Sequence, residues 1–203
     1  MKPKRKIKIY TTPIIAGEFK GKKLEIPANE TTRSSKAILR ESFFNTVQFD
    51  IVGKNFVEVF AGSGSVGLEA LSRGAGMCYF MERDPEAYHC LQNNVNALDP
   101  SRCFTLFGDS FENFSRIYEM LKRSGETSYF YFDPPFAIRE GMEDIYDKTL
   151  GLIESIEPEV CETVAVEHMT GLELPERIGA LEKSKSRKFG KSTLTYYRPA
   201  EKA

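Results

Sequence analysis

A chain of 203 residues, 41% apolar and 12% aromatic, suits one domain with a small appendage and can bury a proper core. Its formal charge of −1 hides a segregation: residues 1–40 carry 11 Lys/Arg against 3 Glu, residues 183–203 carry 7 against 1, and residues 41–182 carry 10 against 25. No stretch approaches the roughly 20 apolar residues of a membrane span, and the basic start, Met1 to Tyr10, lacks the apolar run of a secretory signal.

Two basic ends flanking an acidic middle suit a surface that grips phosphates; for Lys2, Lys4, Arg5, Lys6 and Lys8 alone, a solvated tail is an equal reading. Pro13 to Pro27 then reads as a hairpin, Ile14–Ala16 and Lys22–Ile26 around a turn with Gly17 and Gly21. Helix-start residues in Thr31–Ser35 precede a helix over Lys36–Val47. Its polarity runs lengthwise: Arg33, Lys36 and Arg40 at the start, Phe43, Phe44 and Val47 at the end. The end is expected to dock on the core, leaving the start free to meet a ligand or RNA.

From residue 55 strands and helices alternate. Strands are expected at Asn55–Phe60, Met77–Glu82, Arg102–Phe107, Tyr129–Asp133 and Thr163–His168. Helices are expected at Ser65–Arg73, Pro85–Leu98, Phe111–Ser124 and Glu143–Ile156, with a last strand at Thr193–Arg198. This alternation implies an α/β fold, a mainly parallel sheet covered on both faces, with ligands at the carboxyl ends of the strands. Cys78, Cys90, Cys103 and Cys161 form no CxxC pair, and only His89 and His168 accompany them. Reduced thiols in a cytoplasmic protein without a metal site are therefore expected.

Gly62, Gly64 and Gly67 form a GxGxxG between the first of these strands and its helix, with Glu82 20 residues beyond Gly62. On spacing alone the pattern also fits a dinucleotide dehydrogenase, because Glu82 can accept the ribose hydroxyls of any adenosine. Glu58 breaks the tie. A carboxylate just before the loop repels a pyrophosphate and favours the sulfonium and ammonium of S-adenosylmethionine. Asp109 can accept from the adenine amino group or cap the following helix, a task that Ser110 could take instead.

Asp133-Pro134-Pro135-Phe136 closes a later strand. An exocyclic amine on a nucleobase is a poor nucleophile because its lone pair is delocalised into the ring. Acceptors on its N–H bonds, here Asp133 and the Pro134 carbonyl, draw it towards tetrahedral geometry. The prolines stiffen the segment, and Phe136 can stack on the base.

Several blocks taken together resemble the RsmD family of bacterial 16S rRNA guanine-N2 methyltransferases: Ile14-Ile15-Ala16-Gly17, Lys20-Gly21-Lys22-Lys23-Leu24, Arg40-Glu41-Ser42-Phe43-Phe44-Asn45, the run from Phe60 to Ala75, and Asp133 to Phe136. The chain departs from the family pattern in having Glu58 for Asp and Ser34 for Pro. The resemblance implies a Rossmann-like methyltransferase fold with seven strands, the seventh antiparallel. It further implies a basic hairpin-and-helix extension over residues 1–48 ahead of a methyltransferase domain over 49–203. Carried over by position, the cofactor site comprises Glu58, Ala61, Gly62, Gly64, Glu82 and Asp109, with Phe60, Ser63, Arg83 and Ser110 beside them, and the amine site is Asp133 to Phe136. The expected partner is small-subunit rRNA in an assembling 30S particle, gripped by Lys20, Lys22, Lys23, Arg33, Lys36 and Arg40. The protein is expected to be a monomer. Two other readings stay open: an adenine-N6 methyltransferase on DNA or RNA, and an assembly factor that binds cofactor and RNA without turnover.

Overall fold

The computed structural model describes residues 10–28, 34–47, 50–135 and 144–200. The main sheet follows the alternation expected from sequence. Five parallel strands, β3 (Asn55–Glu58), β4 (Cys78–Glu82), β5 (Cys103–Phe107), β6 (Ser128–Phe132) and β7 (Cys161–Met169), are joined by β10 (Ser192–Pro199), β9 (Leu181–Phe189) and the two-residue β8 (Arg177–Ile178). Their spatial order is β5-β4-β3-β6-β7-β10-β9-β8. β10 runs antiparallel to β7, as expected of the closing strand, and the short β8 extends the sheet to eight.

Strands β3, β4 and β6 are buried at every position, which is why β4 and β6 read as near-continuous apolar runs. Side-chain alternation divides them between two cores. Phe56, Phe80, Tyr129 and Tyr131 face one side, with α1 (Ser34–Val47), α2 (Ser65–Ser72) and α3 (Pro85–Leu98). Val57, Met81, Phe130 and Phe132 face the other, with α4 (Ser110–Ser124) and α5 (Ile145–Glu154). In α4, Phe114, Ile117, Tyr118 and Leu121 make the buried stripe at helical spacing. Local chemistry fixes the helix ends. Asp84 caps α3 through the amides of Glu86 and Ala87, with Pro85 at the first position, and Gly125, at φ 74, closes α4.

The hairpin forms, but its first strand lies earlier than expected. β1 is Tyr10–Pro13, paired with β2 (Lys23–Ile26). Ile14 still pairs with Lys22 across the hairpin, but residues 15–19 dock on the end of α2. The Ile15 and Ala16 amides donate to the Glu69 carboxylate at 2.7 and 3.1 Å. Gly17, at φ 87, turns the chain against Ser72, whose carbonyl accepts from the Glu18 amide at 2.7 Å. On the other side Asn94 of α3 accepts from the Glu25 amide and donates to the carbonyls of Glu25 and Ser63. Leu24, Leu39, Phe43, Phe44 and Val47 share the core of α2 and α3, so hairpin and α1 pack on the body of the fold.

Sequence reasoning passed over β9 because Leu181–Phe189 alternates Lys and Ser and carries apolar residues only at its ends. It pairs with β10 across the two-residue turn Gly190–Lys191. Gly190, at φ 63, supplies the positive φ that a type II′ hairpin needs at its first turn position.

Candidate active site

The carboxyl ends of β3, β4 and β5 bring Glu58, Glu82 and Asp109 around the glycine loop, as the sequence suggested. Gly62 and Gly64 hold positive φ of 53 and 78. The Glu58 carboxylate, 4% exposed, accepts from the Gly67 amide at 2.8 Å and the Val66 amide at 3.4 Å. It thus occupies the N-terminal amides of α2 where a pyrophosphate would bind in a dinucleotide enzyme. A side chain on Gly67 would run into the Phe80 ring and approach Glu58, so this position keeps strand and helix close. These donors and charges fit a cationic cofactor better than a diphosphate.

Glu82 clamps two loops, accepting from the Gly62 amide and the Asp84 amide, both at 2.6 Å. Asp109, not Ser110, caps α4, accepting from the Phe111 amide at 2.8 Å, and its second oxygen pairs with Arg83 at 3.5 Å. The Ser110 hydroxyl instead donates to the Val59 carbonyl, tying the loop after β5 to the end of β3. Phe60 lies edge-on to Phe111 at 5.5 Å and beside Phe132 at 6.5 Å. Ala61 is held by its amide on the Met81 carbonyl. Ser63 is buried, and its carbonyl accepts from Asn94 at 2.9 Å.

Asp133 follows β6, one strand from the glycine loop, because β3 and β6 pair with Glu58 opposite Tyr131. Pro134 is buried and Pro135 half-buried. Phe136 and Arg33 lie outside the described residues. Lys36 Nζ of α1 donates to Asp133 Oδ2. The structure thus places Lys36, expected among the phosphate-binding residues, beside Asp133.

Arg40 departs from its expected role for a related reason. It is 4% exposed, and its guanidinium donates to the Pro13 carbonyl at 2.9 Å, to Thr12 Oγ1 at 3.3 Å and to the Ser65 carbonyl at 3.4 Å. Burial lowers its pKa, and the nearby Glu69 opposes that shift. It holds the hairpin to α1 from inside. Lys20, Lys22 and Lys23 are exposed on the hairpin as expected.

One acidic residue was missed. Glu167 of β7 is 3% exposed beside Asp133, and burial, reinforced by the Asp133 charge, pushes its carboxyl up to about 7. The available signal was an acidic residue near the end of the otherwise apolar run Val164-Ala165-Val166.

The family description "Conserved hypothetical protein 95" matches residues 12–198. The chain is 28% identical over 186 residues to a Bacillus subtilis protein named "Putative rRNA methyltransferase YlbH", spanning 91% of this chain and 97% of that one. It is 30% identical over 141 residues to "Ribosomal RNA small subunit methyltransferase D" of Escherichia coli, spanning 70% of this chain and 66% of that one. The solved structure described as "Putative methyltransferase yhhF from Escherichia coli" superposes with a TM-score of 0.74 at 25% identity, over 95% of this chain and all of the other. The fold is that of the S-adenosylmethionine-dependent methyltransferases. With the match running through hairpin, glycine loop and closing strand alike, the chain belongs to the RsmD family.

Proposed function

We propose that this protein transfers a methyl group from S-adenosylmethionine to the exocyclic N2 amine of a guanine in small-subunit (16S) rRNA, acting in the cytoplasm as a monomer on an assembling 30S particle. The observation that carries the reading is the adjacency of the Asp133-Pro134-Pro135 segment and the acidic glycine loop at the ends of paired strands β6 and β3. The rRNA substrate is supported by the names of the B. subtilis and E. coli relatives.

When bound, S-adenosylmethionine supplies an electrophilic methyl group on a sulfonium. Glu58 sets a negative potential under the glycine loop that favours the cofactor's positive groups. Glu82 spends part of its acceptor capacity on the Gly62 and Asp84 amides, and its remaining lone pairs are available to ribose hydroxyls. Asp133 accepts one N–H of the guanine amine and the Pro134 carbonyl the other, which aims the nitrogen lone pair at the methyl carbon. The methylated nitrogen is acidic, and its proton passes to the Asp133 carboxylate or to water. By its place in the sequence, Phe136 is expected to stack on the base.

Incubation with methyl-labelled S-adenosylmethionine and unmodified small-subunit rRNA, naked and in particles, followed by nucleoside chromatography, is expected to yield labelled N2-methylguanosine. Label confined to adenosine or to added DNA would overturn the guanine assignment.

The phosphate-binding surface of this reading combines the exposed Lys20, Lys22 and Lys23 of the hairpin with β9. Strand β9 runs beside α1, with Arg187 donating to Ser42 Oγ and Lys185 to Thr46 Oγ1. Arg187, Lys188 and Lys191 are exposed. Changing Lys20, Lys22, Lys23, Arg187 and Lys188 together to Gln is expected to weaken RNA binding. The slope of log affinity against log salt should flatten by about 0.7–0.9 for each phosphate that is no longer neutralised. An unchanged slope would dispose of the surface.

A further inference from the structure

Glu167 is a buried ionisable side chain to which the mechanism above gives no task. Phe132 of β6 pairs with Val166 of β7, so Asp133 and Glu167 are the next residues along two adjacent strands. Strand alternation puts both on the face covered by α1. Tyr131, on that same face, donates its hydroxyl to Glu167 Oε2 at 3.3 Å. Ser192 of β10 also hydrogen-bonds to Glu167, and the Lys36 charge acts on it together with that of Asp133. Tyr146 of α5 is near both carboxylates: burial chiefly, and then the charges of Asp133 and Glu167, raise its phenol pKa.

The contrast with Glu69 is informative. Glu69, 0% exposed, is held by two backbone amides and an arginine, as a structural carboxylate should be. Glu167 is held by two hydroxyls and sits beside a second carboxylate, an arrangement that opposes ionisation. Arrangements of this kind concentrate where a ligand is met. Here the ligand would bring hydrogen-bond donors to two carboxylates and an acceptor to one ammonium.

Guanine has that pattern on its Watson–Crick edge: N2–H and N1–H are adjacent donors, and O6 beside them is an acceptor. Adenine presents one donor followed by an acceptor at N1. Bases taken out of the stack are read along this edge. We propose that Asp133, Glu167 and Lys36 form one recognition set for guanine, in which Asp133 takes N2–H, Glu167 takes N1–H, and Lys36 leaves Asp133 to donate to O6. This rests on the guanine-N2 reading above and assigns the residue that makes the site choose guanine. The Lys36 side chain is 42% exposed and has room to move; the Asp133 side chain is 19% exposed.

2-Aminopurine separates recognition from chemistry, since it keeps the N2 amine but has an acceptor at N1 and no O6. The substrate is full-length small-subunit rRNA ligated to carry guanine or 2-aminopurine at the mapped target. It is used naked or assembled, whichever the wild type methylates, at pH 8 where Glu167 is ionised. The wild type is expected to prefer guanine by at least about 100-fold in kcat/KM, because a site built for a donor is left with an unpaired buried acceptor by the analogue. In Glu167→Gln the amide can accept from guanine N1–H or donate to 2-aminopurine N1. The preference should therefore fall at least about tenfold, with guanine turnover lowered and 2-aminopurine turnover raised.

Cofactor affinity and thermal midpoint of the variant are measured alongside. A variant that loses both substrates in equal proportion, or a wild type that methylates both bases equally, overturns the proposal. Absence of any label in guanosine with the wild type would instead overturn the function on which it rests, and the recognition set with it.

Discussion

Asp133→Ala is expected to lower the single-turnover methylation rate by about 10²–10⁴-fold, the range for losing a positioned proton acceptor or charge stabiliser at a reacting centre. Cofactor affinity should hardly change. The Asp133 side chain contacts Lys36 of α1, whereas the glycine loop is built by Glu58 and Glu82 on their own backbone partners. The variant also releases Lys36 from Asp133; Lys36→Ala, which gives up the proposed contact to O6 but keeps the carboxylate, is expected to lose less rate than Asp133→Ala. If loss of rate came from a displaced lysine, the two variants would behave alike. Asp133→Asn keeps the shape and one acceptor oxygen, but turns an amide donor towards the amine, and its rate should lie between those of wild type and alanine. The measurement is a rapid-quench time course at saturating cofactor with cofactor Kd from calorimetry. An alanine variant that methylates within a few-fold of wild type would remove Asp133 from the chemistry altogether.

The parts of this protein that could be read from sequence are those whose causes are local. Burial on both faces makes β4 and β6 apolar at nearly every position. Asp84-Pro85 starts a helix by its own geometry, and glycines with positive φ announce the loop. The misread residues take their structure from partners far away in the chain. Arg40 follows Lys36 by one helical turn and reads as solvent-facing with it, yet its guanidinium is buried near Glu69, while the Lys36 side chain, 42% exposed, reaches Asp133 and the apolar Ile38 is 53% exposed. Nothing within α1 reveals this, because the reason is a buried carboxylate 29 residues later. The Ile14–Ala16 segment reads as a strand for its β-branched residues, but only Ile14 keeps a hairpin bond, to Lys22, while the Ile15 and Ala16 amides are claimed by that same Glu69. Asp109 offers two readings in the sequence, and the structure shows the capping bond to Phe111, with the second oxygen on Arg83.

Glu69 is consequently the position where the largest loss of stability is expected. Its carboxylate, 0% exposed, accepts from Ile15 and Ala16, holds Arg73 Nε at 2.7 Å and lies 4.0 Å from Arg40 Nε. Glu69→Ala strips a buried guanidinium of its counter-charge, which typically costs about 3–5 kcal/mol, and leaves two amides to find new acceptors. In a chain of this size each kcal/mol moves the thermal midpoint by about 2–4 °C, so a fall of roughly 6–20 °C is expected. The second change Arg40→Met in the Glu69→Ala background should recover part of that loss, because it removes the uncompensated charge; the same change alone should destabilise, leaving Glu69 with less cationic support. That opposite sign in the two backgrounds is the signature of the pair, read by a double-mutant cycle. Below its midpoint, Glu69→Ala should bind cofactor normally, since the glycine loop keeps its own bonds, but should grip RNA less well as the hairpin bearing Lys20, Lys22 and Lys23 loosens. A midpoint within about 2 °C of wild type would mean that the hairpin is held by its apolar contacts through Ile14 and Leu24, and that the buried charges are incidental to it.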